Sequence, residues 1–156
     1  MQLLLPCFVV CLSQAHCIRK RKSCGSVFIT ICAGCRTGMG IKMQDCLFCK
    51  IMAGEIPSKK VYEDEDTYAF YDIAPQAPVH VLVVSKHHTP DVAHNADLTD
   101  HQLAACLRTC AKVAKELGLE EGGYRIVNNC GENACQTVKH IHFHVLGGEK
   151  LAERMA

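Results

Sequence analysis

No charge of one sign dominates this chain: 17 basic residues stand against 16 acidic ones, for a formal net charge of +1. A dedicated nucleic-acid surface usually carries a basic surplus, so nucleic acid is not an expected partner. Long apolar runs are missing too. The opening run, MQLLLPCFVVCLSQA, offers roughly a dozen apolar residues, short of the ~20 that a membrane-spanning helix needs. No membrane partner is expected. Regular disulfide-scaffold spacing is also absent, although the chain has 12 cysteines. The folded part therefore reads as a reduced, cytoplasmic domain.

What is present is enough for one ordinary domain. The 156 residues are 49% apolar, so a core is available. Beside the 12 cysteines stand 9 histidines. These are the side chains that ligate metals and attack electrophilic centres. Half of the cysteines crowd into the first thirty-five residues: Cys7, Cys11, Cys17, Cys24, Cys32 and Cys35. Residues 1–42 differ from the rest. Their apolar run has no basic residues before it and the IRKRK cluster after it. That order suits neither a secretory signal nor a lipid-attachment site. The segment reads as an unstructured leader, or as upstream sequence joined to a start at Met43. Secretion is the alternative, should residues 1–15 act as a signal. Residues 43–156 form the expected domain.

From Met43 the pattern is orderly. CLFCKIMAG predicts a short helix with Leu47, Phe48 and Ile51 on one side, stopped by Gly54. KKVYE and DTYAFYDI predict a hairpin. PQAP, with Pro75 and Pro78, is a rigid connector leading into the β-branched strand HVLVVS. Thr99 and Gln102 form a capping-box pair ahead of a second helix. Along it, Leu103, Cys106, Leu107, Cys110, Val113, Ala114 and Leu117 recur at helical spacing, and Gly118 closes it. Cys106 and Cys110 are small core residues on this reading. Two strands follow, YRIVNN and VKHIHFHVL. The order predicts an α+β domain with an antiparallel sheet of about five strands and two helices.

The informative segment is HIHFHVL, residues 140–146. Alternation in a strand puts His140, His142 and His144 on one face and Ile141, Phe143 and Val145 on the other. Ordinary surface or core histidines rarely alternate so strictly. A single metal held by all three meets a geometric obstacle, because the outer pair lies about 13 Å apart in a strand. Nucleophilic catalysis is the third reading, with one imidazole attacking and a neighbour steering a proton. The loop before the strand, NNCGENACQT, offers backbone N–H groups and small donors to an anion. A phosphate held there would lie beside the histidines.

From about Asp45 to Gly148 the chain resembles the histidine triad (HIT) family, in its nucleoside-phosphoramidase branch. HIHFHVL, GENACQTVKH, YDIAPQAPVHVLVV and FCKIMAGEIPSKKVYED carry the resemblance. It implies a hydrolase that cleaves nucleoside 5′-phosphoramidates through a covalent nucleotidyl-histidine. His142 matches the nucleophile, and His144 the residue that contacts the scissile phosphate and assists the leaving group. Asn129 and Thr137 match phosphate and ribose-side contacts, and Gln136 lends its backbone. Asp72 matches the carboxylate that binds the ribose hydroxyls, with Ile73 at the nucleoside. Leu47, Phe48, Ile51, Phe70 and Leu82 match the apolar walls of the base pocket. His80 matches a residue that hydrogen-bonds within the site. Relatives pair as homodimers, so the resemblance implies a purine nucleotide and a second copy as partners.

Two features complicate the picture. Cys135 stands where the family commonly has glycine, a residue that permits close backbone approach or a strained φ. Tryptophan is absent, whereas some relatives place one near the C-terminus, so the tail EKLAERMA gives no guide to the leaving group. Cys46 and Cys49 form a CxxC at a helix start; redox pairing, chance and metal binding all fit that spacing. The resemblance adds His88 and His140, completing the ligand set for a structural zinc. His87, His94 and His101 are left as surface residues. Two alternatives remain: a dinucleoside polyphosphate hydrolase, and a weakly catalytic nucleotide-binding or adaptor protein.

Overall fold

A computed structural model describes residues 45–153 together with three short strand segments ahead of them. The chain divides into two compact units, 1–40 and 41–156. In the first unit Val10–Cys11, Cys17–Arg19 and Thr30–Ile31 pair in that order as an antiparallel sheet. Most of the apolar opening and of the basic cluster, and the Cys32–Cys35 pair, lie outside the described residues.

The second unit is an α+β domain on an open five-stranded antiparallel sheet. Its elements are α1 (Leu47–Met52), β1 (Lys60–Glu63), β2 (Thr67–Tyr71), β3 (Val79–Ser85), α2 (Asp100–Glu116), β4 (Tyr124–Val127) and β5 (His142–Gly147). The strands are ordered β1-β2-β3-β5-β4. Every adjacent pair is antiparallel.

Period-two alternation divides the sheet into two faces. Ala69, Val81, Val83, Phe143 and Val145 turn to α2, where Cys106, Cys110, Val113 and Ala114 meet them. Phe70, Leu82 and Val84 turn to the other face and pack with Phe48 and Ile51 of α1. Cys106 and Cys110 are fully buried, and burial pushes both thiols up to about 12. They are core residues, as their spacing predicts.

Both helices end as read. Thr99 and Gln102 make the reciprocal capping box at the start of α2. Gly54 and Gly118, with φ of 78° and 72°, take the left-handed conformation just past α1 and α2. Leu47 departs from expectation. It is 44% exposed, whereas Phe48 and Ile51 on the same helix are buried.

The last strand is shorter than VKHIHFHVL suggests. It begins at His142. The Ile141 amide donates to the carbonyl of Thr89 (2.7 Å) and that of His140 to Val138 (2.9 Å). Those bonds divert the chain from the ladder, so His140 sits in a bend ahead of the strand and not in the alternating row. Among the described residues, no helix is long and apolar enough to cross a membrane.

Candidate active site

β3 and β5 pair with Leu82 opposite His144 and Val84 opposite His142. That register brings His80, His142 and His144 to the face covered by α1. There they border a cavity of about 370 Å³ lined by Leu47, Phe48, Ile51, Phe70, Leu82, Asp72, Ile73, Thr137, His142 and His144. A cleft of a few hundred Å³, mostly apolar with a few polar groups, is the usual form of a small-molecule site. Ile56, Pro57, Ser58, Tyr71 and Val138 line it as well, and no pattern in the sequence singles them out.

Backbone partners decide which nitrogen of each imidazole carries the proton. The His142 Nδ1–H donates to the carbonyl of His140 (2.6 Å). Its Nε2 is therefore a bare lone pair. The Gln76 amide donates to His80 Nδ1 (3.2 Å), so the His80 proton is on Nε2. From there it is donated to His144 Nδ1 (2.8 Å). The His144 proton is thereby placed on Nε2, a buried atom with no hydrogen-bond partner. The His142 and His144 rings lie 5.1 Å apart, centroid to centroid. One offers a nucleophilic nitrogen and its neighbour an N–H.

Burial keeps these rings neutral. It lowers His142, with the His140 carbonyl opposing. It brings His144 down to about 4, helped by His142 and His80. It lowers His80 too, against the nearby Asp72 carboxylate. Asp72 holds the Ala74 amide at 2.8 Å through one oxygen and places the other 3.5 Å from His80 Nε2. The His142 carbonyl accepts from the Asn128 amide at 2.7 Å. No sequence signal separates Asn128 from its neighbour Asn129.

The loop expected to hold phosphate is tied to itself. The Gln136 side chain is buried, accepting from the Gly131 amide (3.0 Å) and donating to the carbonyls of Pro90 (2.7 Å) and Val138 (3.0 Å). Thr137 borders the cavity, whereas Asn129, Cys135 and Gln136 are not among its lining residues. Cys135 has φ 58° and ψ 34°, the only positive φ outside glycine among the described residues. The glycine-for-cysteine difference is thus a matter of backbone strain.

A second cluster lies beside the first. Cys46 Sγ is 3.4 Å from His140 Nδ1, Cys49 Sγ is 3.4 Å from His88 Nδ1 and 3.6 Å from His140 Nδ1, and the two Nδ1 atoms are 3.2 Å apart. A tetrahedral zinc with ordinary bond lengths separates its sulfur and nitrogen ligands by about 3.6 Å and its two nitrogens by about 3.3 Å. The four atoms fit that figure. His140 donates its Nε2–H to the Ser85 carbonyl (2.7 Å), which leaves Nδ1 free to ligate. Burial and neighbouring Cys46 push the Cys49 thiol up to about 12, so a nearby cation is what would favour its thiolate. Of the histidines left aside, His94 pairs with Asp91 at 2.9 Å and His101 with Asp66 at 3.1 Å, both largely exposed. His87 donates its amide to Ser85 Oγ.

An open antiparallel sheet with one helix across its back, and a row of neutral imidazoles in an apolar cleft on its front, defines a histidine-site α+β domain. The HIT domain family model matches residues 53–151, and the chain belongs to that family. It is 46% identical over 106 residues to an uncharacterised HIT-like protein of Azospirillum brasilense, covering 67% of this chain and 87% of the relative. It is 38% identical over 113 residues to the purine nucleoside phosphoramidase of Escherichia coli K12, covering 72% and 95% respectively. The crystal structure of a HIT family hydrolase from Legionella pneumophila Philadelphia 1 superposes with a TM-score of 0.69 at 43% identity, over 72% of this chain and all of that one.

Two predictions follow from this geometry. Cys135→Gly should stabilise the domain by about 1 kcal/mol, because glycine removes the left-handed strain at an exposed position. The denaturant midpoint should rise, and an unchanged or lower midpoint would refute the strain argument. The second concerns pH. His144 in the folded protein sits near 4, below its ordinary 6.5, so between those values the unfolded chain binds the proton more strongly. This contribution to stability is complete above about pH 6.5 and is lost as pH falls toward about 4. Tm measured across that window should fall less steeply in His144→Gln; parallel curves would exclude the assignment.

Proposed function

We propose that this protein hydrolyses purine nucleoside 5′-phosphoramidates through a covalent nucleotidyl-histidine on His142. The observation that carries this reading is the complementary pair of tautomers, a bare Nε2 on His142 beside an N–H at Nε2 of His144. The name of the E. coli relative supports the substrate class, and the solved neighbour supports a hydrolase.

In the first step His142 Nε2 attacks the α-phosphorus in line with the leaving amine. The P–N bond to the amine breaks, and the amine nitrogen takes the Nε2 proton of a His144 ring that the bound phosphate has brought to its imidazolium form, leaving that ring neutral. His142 becomes a cationic nucleotidyl-imidazolium, with its Nδ1–H held by the His140 carbonyl. A phosphate beside His144 counteracts the burial that lowers its basicity, since an anion favours the protonated ring. In the second step water attacks the phosphorus, the bond to His142 Nε2 breaks, and the water's proton restores His144. AMP or GMP and a free amine are the products. The 2.8 Å contact with His80 orients the His144 ring for both transfers.

Substrate placement follows from the walls. Leu47, Phe48, Ile51, Phe70 and Leu82 surround the base, and Ile73 flanks the nucleoside. Asp72 binds the ribose hydroxyls, as an ionised carboxylate accepts two donors. Thr137, which borders the cavity, and Asn129 receive the phosphate. Cys46, Cys49, His88 and His140 hold a zinc ion, whose four protein ligands leave no open position and make its contribution structural. A reducing, cytoplasmic setting belongs to the same reading, because those two cysteines ligate only as thiolates. A second copy pairs along β4, which is bonded on one side only and leaves Ile126 exposed, as is Leu107 of α2.

Incubation with adenosine phosphoramidate should release AMP, and His142→Ala should lose about 10³-fold or more of that rate. Acid-quenched protein should carry one nucleotidyl group, absent from the variant. AMP that binds without any turnover would replace this proposal with a nucleotide-binding module, and faster cleavage of dinucleoside polyphosphates would change the substrate class. For the dimer, sedimentation should give twice the chain mass, and Ile126→Asp should shift it to monomer; a monomeric parent protein rejects the pairing.

A further inference from the structure

We infer that the cysteine–histidine cluster sets the tautomer of the nucleophile, with His88 a positioning residue for His142. The inference rests on the proposed role of His142 and concerns what holds the carbonyl that faces it.

That carbonyl belongs to His140, which lies outside the sheet. The β5 ladder begins only at His142, so no strand pairing fixes the peptide of His140. Its position comes from its own ring and its flanks. The ring is fully buried and engaged at both nitrogens, Nε2 on the Ser85 carbonyl and Nδ1 among Cys46, Cys49 and His88. A ring fixed at two opposed points fixes the Cα that carries it. The carbonyl on that Cα then accepts the His142 Nδ1–H at 2.6 Å.

The same cluster reaches the phosphate loop by a second route. His88 is followed by Thr89, whose carbonyl holds the Ile141 amide, and by Pro90, whose carbonyl holds Gln136 Nε2 at 2.7 Å. The His88 ring is anchored through Nδ1 alone, since its Nε2 is buried without a partner. Removing the cluster's hold on Nδ1 leaves the segment from His88 to Pro90 resting on the Thr89 hydroxyl's bond to the His94 carbonyl (2.7 Å), and so loosens both the His140 peptide and Gln136. The apolar walls of the base pocket keep a support of their own, because Phe48 and Ile51 of α1 pack on Phe70, Leu82 and Val84 of the sheet. Loss of His88 should accordingly affect the chemical step far more than the binding of nucleotide.

The test compares the full-length protein with His88→Ala and His88→Cys. Four readouts are taken: zinc content, circular dichroism, the ¹⁵N resonances of the His142 ring, and kcat beside the Kd for AMP. The parent should bind about one zinc per chain and show His142 with its proton on Nδ1. His88→Ala should lose zinc affinity, show both His142 tautomers, and lose about tenfold or more in kcat while Kd for AMP changes by less than about threefold. His88→Cys retains a four-ligand set and should restore the zinc, the single tautomer and kcat. A folded, zinc-depleted His88→Ala with the parent's tautomer and kcat overturns the inference. If His88→Ala does not fold, His88→Cys decides alone: zinc bound with a single tautomer supports coupling, and zinc bound with mixed tautomers refutes it. The zinc and ¹⁵N readouts require no substrate. Failure of the proposed hydrolysis would therefore show as an inactive parent with these two readouts intact.

Discussion

The chemistry of this site depends on which nitrogen of His142 carries the proton. An imidazole with its hydrogen on Nε2 has no lone pair to offer a phosphorus in the cleft, however well placed its ring. The tautomer is fixed by one bond, from Nδ1 to the carbonyl of His140. It is made in a buried setting, where a hydrogen bond is stronger than in water and an unmet donor is costly. The same burial holds the ring below its ordinary basicity, so the lone pair stays available at neutral pH. Orientation and protonation state thus have a common origin in the backbone bend ahead of β5.

The sheet makes that bend affordable by separating stability from function. Its α2 face is closely packed around Val81, Val83, Val113 and Val145, all fully buried, and carries no group used in the proposed reaction. Its other face has fewer supports. α1 has only six residues, well below the length at which a helix is stable alone in water. Phe48 and Ile51 hold it to the sheet, and Cys46 and Cys49 tie its start to His88 and His140. The base-pocket wall and the histidine cluster are therefore two ends of one short element. Phe48 links them directly, edge-on to both His140 and His142 with ring centroids 5.9 and 5.1 Å away.

Much of this was legible in the sequence, and the boundary of legibility has a physical form. Alternation in HVLVVS and HIHFHVL assigns each side chain to a face because the strand period is fixed by local geometry. The Thr99–Gln102 cap and the glycines after both helices are likewise local. The apolar residues expected at the nucleotide border one cavity together with His142 and His144. What escaped reading depends on partners remote in sequence. His140 leaves the strand because Ile141 finds the Thr89 carbonyl, and no pattern in VKHIHFHVL records that. Cys135 was legible as a departure, but its φ of 58° could only be seen in the folded loop.

One rule sorts the buried histidines into separate tasks. Each ring has two nitrogens, and a backbone group occupying one decides the role of the other. Asp72, His80 and His144 place three potential ligand atoms together, much as the cysteine-bearing cluster does. Here, however, the Gln76 amide occupies His80 Nδ1, so the atom facing the group, Nε2, carries a proton and cannot ligate. It donates to His144 instead, and the triplet conducts hydrogen-bond order toward the cleft. In the other cluster the Ser85 carbonyl takes the Nε2–H of His140, and the atom facing the group is a free lone pair. A backbone donor makes one histidine set a relay, and a backbone acceptor makes the other a ligand set. His142, whose proton is taken by the carbonyl between them, is left with the nucleophile's nitrogen.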